Sequence, residues 1–399
     1  WAEKGVVEKL AGPELKVRWR VPVSNGYSGP TVADGRVYVT DRVTEPKEVE
    51  RVHCFDWQTG KKLWTHEYDC VYKGVSFPNG PRASVTVSDG RAYSLGSMGN
   101  LHCFDAAKGT LLWSKDLNSE YKIRMPDWGI AAAPLVEGDL LIVFVGGSGD
   151  AALIALDRKT GKEAWRALPD RATYSSPVVI DQAGKRVLVC WTAERLVGLD
   201  PQTGKLYWEQ PFPARGAPIG IITTPVVHKD WLFVTGSSEG SLMLRLGKEQ
   251  PTAEKVWARR GQNARNTDAL QTLMATPIVR GDAVYGIDFY GELRCLDAKT
   301  GDRLWEEKTI MPRAMWATAH LVQNGDRTWI FNEKGQLILA RLTPKGYEEI
   351  GRAQLIKPTL GQFDQRGGAA WSHPAFANQH VFARNDEELL CASLRADGK

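Results

Sequence analysis

Arg124 and Trp128, Arg313 and Trp316, and Arg366 and Trp371 set a cation beside an indole three times in a chain of 399 residues. A guanidinium supplies charge-assisted hydrogen bonds and an indole supplies a stacking face, so three such pairs converging on one place would hold an anionic or planar ligand. His373 stands two residues after Trp371, and His320 holds the related place in the preceding unit. Two histidines could begin a metal site, but no acidic or Cys partner recurs at ligand spacing, and satisfied core histidines are the simpler reading. A purely structural reading of the pairs also stands: the indoles plug a channel and each arginine pairs with Asp127, Asp268 or Asp364. Glu387 and Glu388 beside Asp386 could attract calcium, although a solvated turn is the simpler reading. No Ser/His/Asp set, paired carboxylate or phosphate loop can be assigned, so no catalytic residue is named.

Whether these residues meet depends on the elements between them, and those elements repeat. Cys295 to Trp305 reads CLDAKTGDRLW, and close copies run from Cys54 to Trp64, Cys103 to Trp113, Ala155 to Trp165 and Gly198 to Trp208. Each copy has a small residue, then Asp, Gly and Trp at fixed offsets: Asp56, Gly60 and Trp64; Asp105, Gly109 and Trp113; Asp157, Gly161 and Trp165; Asp200, Gly204 and Trp208; Asp297, Gly301 and Trp305. The Asp can accept hydrogen bonds from turn amides, the Gly supplies a positive φ, and the chain reverses into a strand that ends in the Trp. A Trp repeated in this way is a wedge between neighbouring units.

With Trp19 and Trp257 added, the tryptophans recur roughly every 45 to 50 residues, a period that suits about four short strands. A second signal, a small or polar residue leading into an apolar strand, occurs eight times, at Ser28, Ala83, Ala131, Ser175, Thr223, Ala275, Ala317 and Ser372. No helical period competes. The class expected is all-β: an eight-bladed propeller of four-stranded antiparallel blades, whose radial packing buries both faces of each sheet. The eighth unit ends at Arg395 to Lys399 without its last strand, and Leu15 to Trp19 has the form of that strand. The N-terminal strand should therefore close the last blade, leaving residues 1–14 as an arm outside the core and 15–399 as one propeller domain. Unit five loses the motif Asp and unit seven loses both Asp and Trp, so looser packing is expected at both.

The formal charge of +4 comes from 51 basic and 47 acidic residues mixed throughout, which gives no basic surface for nucleic acid. No apolar run approaches the length of about 20 residues needed to span a bilayer. Cys54, Cys103, Cys295 and Cys391 share one strand position where a small residue is required, so buried thiols are expected there. Because the sequence starts at Trp1 and not Met, loss of an upstream piece is expected, which leaves room for a signal peptide or a lipid anchor.

The eleven-residue pattern resembles the tryptophan-docking motif of pyrroloquinoline quinone-like repeats, and residues 15–399 resemble an eight-bladed propeller of that superfamily. The resemblance implies an extracytoplasmic protein, periplasmic or secreted and monomeric. It implies one of two activities: a non-enzymatic, BamB-like scaffold that binds a protein or cell-envelope polymer without a cofactor, or a quinoprotein oxidoreductase using pyrroloquinoline quinone with calcium. A ligand or carbohydrate sensor domain is a third. The adjacent-cysteine disulfide of many quinoprotein dehydrogenases has no counterpart here, which favours the scaffold.

Overall fold

Strand formation follows the repeat. In a computed structural model describing residues 1–10, 12–216 and 219–396, eight separate four-stranded antiparallel sheets follow one another. Blades 1 to 7 occupy 31–69, 86–116, 135–167, 178–211, 226–259, 278–307 and 319–354. Blade 8 contains strands Ala375–Ala377, His380–Arg384 and Glu388–Ser393, and its fourth strand is Val17–Pro22 from the other end of the chain. The innermost strands of blades 8 and 1 touch as those of blades 1 and 2 do, so the ring closes. Asp397–Lys399, the end of the expected final turn, lie outside the described residues.

The apolar side chains divide into eight clusters, each shared by two neighbouring blades. The Asp–Gly–Trp motif builds these interfaces. Asp56 Oδ1 accepts from the amides of Gln58 and Thr59, and Asp297 Oδ1 from those of Lys299 and Thr300, which fixes the turn. The turn presents a carbonyl and a bare glycine to the preceding blade's tryptophan. Trp19 Nε1 donates to the Trp57 carbonyl at 2.9 Å, Trp64 to Ala106 at 3.1 Å, Trp113 to Arg158 at 3.3 Å, Trp165 to Pro201 at 3.1 Å and Trp257 to Ala298 at 2.8 Å. In each case the acceptor is the residue after the Asp position of the next blade.

The two degenerate units are repaired rather than loose. Opposite blade 5, Trp208 donates to Gln182 Oε1 at 3.1 Å, and Gln182 reaches on to the Thr252 carbonyl at 2.6 Å. Blade 7 lacks the wedge, and residues 1–14 supply one. Leu10 is buried in the cluster shared by blades 7 and 8, beside Ile350 and Gly351. Val6 pairs with Arg395 and Glu14 with Gln354, while Trp1 lies 5.1 Å from the Phe376 ring. The N-terminal segment is thus a strap packed on the core, not an arm standing outside it, because the missing Trp leaves apolar surface to cover.

All six cysteines are buried and unpaired, including Cys70 and Cys190 outside the repeat register. Between blades 1 and 2, His102 stacks on Phe104 and lies 4.3 Å from the Tyr68 ring. Burial pushes its pKa down from 6.5 to about 4, helped by nearby His66. The unfolded chain therefore binds a proton near pH 6.5 that the folded chain refuses until about pH 4. Stability from this site is complete above pH 6.5 and is lost as pH falls toward 4, by about 3 kcal/mol. Urea titrations at pH 7 and pH 4 should show this loss, and His102→Phe should remove much of it.

Candidate functional site

The links that enter the innermost strands converge on the central channel and enclose a cavity of about 490 Å³. Its wall follows a simple register. Tyr27, Arg82, Tyr174, Ile222, Met274, Trp316 and Trp371 each immediately precede the small residue that leads into an innermost strand two or three positions on, and each lines the cavity. In blade 3 the corresponding place is filled by Trp128 and Ala131. The short innermost strands therefore hold one ring or long side chain per blade against a common space.

Of the residues singled out in the sequence, Trp128, Trp316, Trp371, His320 and His373 line this cavity. Trp128 stacks on Tyr174 at 4.9 Å, and its backbone amide donates to the Tyr174 hydroxyl oxygen at 3.0 Å. Phe77 crosses to Trp316 and Trp371, with ring centroids 6.2 and 6.4 Å away. Phe363 closes the cluster, 4.6 Å from Trp371. His320 Nε2 is 2.9 Å from the Trp371 carbonyl, and His373 Nε2 is 3.3 Å from Ser84 Oγ. Burial and the neighbouring His320 push the His373 pKa down to about 3, and burial lowers His320 as well, so both rings are neutral at pH 7.

The three arginines are not among the residues lining the cavity. Arg124 is exposed on the link after blade 2. Arg313 pairs with Glu292 and lies 4.5 Å from the Tyr290 ring. Arg366 pairs with Glu333 at 3.1 Å and lies 4.8 Å from Phe363. Their partners are buried glutamates from the turns between second and third strands, not Asp127, Asp268 or Asp364. Glu292 also faces Asp288, whose pKa is pushed up by burial and by the adjacent carboxylate.

The cation that does reach the cavity is Arg82, together with Tyr27, Phe77 and Tyr174 from links without tryptophan. Selecting links by tryptophan passes over them. The register signal, one residue before each small residue, identifies Arg82, Tyr27 and Tyr174 directly.

Residues 48–307 and 223–343 match the family model described as "Outer membrane protein assembly factor BamB", covering more than half of the chain. The chain belongs to the BamB family. A BamB from Moranella endobia is 28% identical over 164 residues, which is 40% of each chain. A quinoprotein ethanol dehydrogenase from Pseudomonas aeruginosa is 34% identical over 121 residues, 27% of this chain and 19% of that enzyme. The match thus spans well under half the length of these curated relatives. The crystal structure of BamB from Moraxella catarrhalis superposes with a TM-score of 0.66 at 16% identity, covering 95% of this chain and 99% of that one. At that identity the likeness speaks for the propeller fold alone.

The cavity does not suit a calcium-held quinone. Calcium takes six to eight oxygen ligands, commonly carboxylates. No Asp or Glu lines this cavity, and no cluster of three His, Cys, Asp or Glu side chains suited to a metal occurs among the described residues. One guanidinium also stands against the three carboxylates that pyrroloquinoline quinone carries. No described helix is long and apolar enough to cross a membrane.

Proposed function

We propose that this chain is an extracytoplasmic assembly scaffold of the BamB kind, a monomeric propeller that binds protein partners in the building of an outer membrane. The observation that carries this reading is the family match running from blade 1 into blade 7. The wall chemistry supports it, since no carboxylate lines the cavity to hold the calcium that the quinoprotein reading requires. Binding through one face, or by addition of a strand to an exposed blade edge, would use the propeller as a rigid platform. The test is complementation: the exported chain is expressed in a bacterium lacking its own BamB, and folded outer-membrane β-barrel proteins are quantified. Recovery of their level is expected. No recovery, with saturable pyrroloquinoline quinone binding and calcium-dependent dye reduction by the purified chain, would replace the scaffold by an oxidoreductase, the reading that the Pseudomonas relative favours.

A further inference from the structure

The cavity wall carries a positive charge with no counter-charge on the wall itself: the carboxylate that acts on Arg82 from behind, Glu50, is taken up by the hydroxyls of Tyr68 and Tyr72 and the Ser97 amide, and burial raises its pKa. Arg82 donates from Nη1 to the Gly80 carbonyl at 2.7 Å and Ser97 Oγ at 3.2 Å, and from Nη2 to the carbonyls of Ser76 at 3.0 Å and Phe77 at 2.6 Å. Its guanidinium lies 5.0 Å from the Tyr27 ring centroid. Each of these acceptors is neutral, and no carboxylate stands within ion-pair distance of Arg82 among the described residues. Burial lowers its pKa, which means that the surroundings resist the charge. With His320 and His373 neutral, the wall carries one net positive charge among aromatic and aliphatic groups. A desolvated cation in this position is costly until an anion joins it.

Strain marks the same place. Phe77 and Trp316 have φ of 54° and 67°, the left-handed region that bulky side chains rarely enter. Such conformations cost about 1–3 kcal/mol each and cluster at ligand clamps. Both residues line the cavity and their rings meet at 6.2 Å.

From this combination we infer that the cavity binds a small aromatic monocarboxylate, its carboxylate paired with Arg82 and its ring among Tyr27, Phe77, Trp128, Tyr174 and Trp371. The single cation sets the ligand charge at one. The rings call for a flat apolar body, and about 490 Å³ accommodates two fused rings within the usual range of small-molecule sites. The Ser97 hydroxyl, at 3.2 Å the longest of the four Arg82 contacts, is the one that a carboxylate would displace. The site rests on the cavity's own residues and not on the scaffold reading, so the two can fail separately.

The experiment titrates the full chain with 2-naphthoate and with its neutral counterpart 2-naphthamide, by calorimetry and tryptophan fluorescence. Naphthoate should saturate with a Kd below about 1 mM and quench the indoles, with the amide at least about tenfold weaker. Arg82→Met should erase the preference for the acid. Because Arg82 also anchors its link, Ser176→Trp provides an independent check: it fills the cavity from blade 4 and should abolish binding in a chain that melts normally. Failure of naphthoate to saturate the folded protein by about 1 mM would overturn the site, as would equal binding of acid and amide or binding indifferent to Ser176→Trp.

Discussion

A chain lacking residues 1–20 is expected to melt about 10 °C or more below the full chain, or to lose its cooperative transition. The truncation removes most of the strand Val17–Pro22, which pairs with Glu388–Ser393. It also removes Trp19, whose indole lies on Gly60 of blade 1, and Leu10, which fills the interface of blades 7 and 8. Loss of a packed Trp alone costs roughly 3–5 kcal/mol, and a buried Leu another 2–5. Together these approach the entire stability of about 5–15 kcal/mol typical of folded proteins. Differential scanning calorimetry of the two chains measures the effect. A permutant that carries the excised segment at the other terminus through a flexible linker should recover the transition, since Val6 and Arg395 are paired neighbours. Unchanged melting of the truncated chain would refute the closure.

The second large effect is expected at the tryptophan dock. Trp64→Ala should cost roughly 3–5 kcal/mol, because it empties space between blades 1 and 2 and leaves the Ala106 carbonyl without its indole donor. Gly109→Ala attacks the same contact from the other side. A Cβ there would sit 2.5 Å from Cδ2 and 2.6 Å from Cγ of Trp64, and φ at Gly109 is +73°. The backbone conformation alone penalises alanine by about 1–2 kcal/mol, and the indole must also leave its place. In the Trp64→Ala background only the backbone part remains. Chemical denaturation of the four proteins should therefore give a coupling of about 1–3 kcal/mol, whereas independent sites would add.

The repeat was legible because each of its positions has a local task. Asp297 ties its own turn, Gly301 provides the positive φ, and the tryptophan finds the next blade's carbonyl at a fixed offset, so the spacing carries the geometry. The cavity was legible only in part. Trp128, Trp316, Trp371 and His373 converge there, yet their neighbours in sequence do not. Arg313 and Arg366 are drawn to Glu292 and Glu333, buried carboxylates whose burial no stretch of sequence displays. Arg82 has no tryptophan near it in its own link, and its place follows only once eight distant links are superposed on one register. The strap was hidden for a related reason: the vacancy that Leu10 fills is created by a tryptophan missing from blade 7, hundreds of residues away.

The six buried thiols give the propeller a set of internal witnesses. Cys54 and Cys70 belong to blade 1 and the link after it, Cys103 to blade 2, Cys190 to blade 4, Cys295 to blade 6 and Cys391 to blade 8. Burial holds each thiol above its ordinary pKa, so each is shielded from solvent and short of the reactive thiolate. Alkylation at any one of them therefore requires that its own part of the ring open. The order in which the native sequence is labelled becomes a record of where the ring first comes apart, with Cys391 standing watch beside the seam where the two ends of the chain meet.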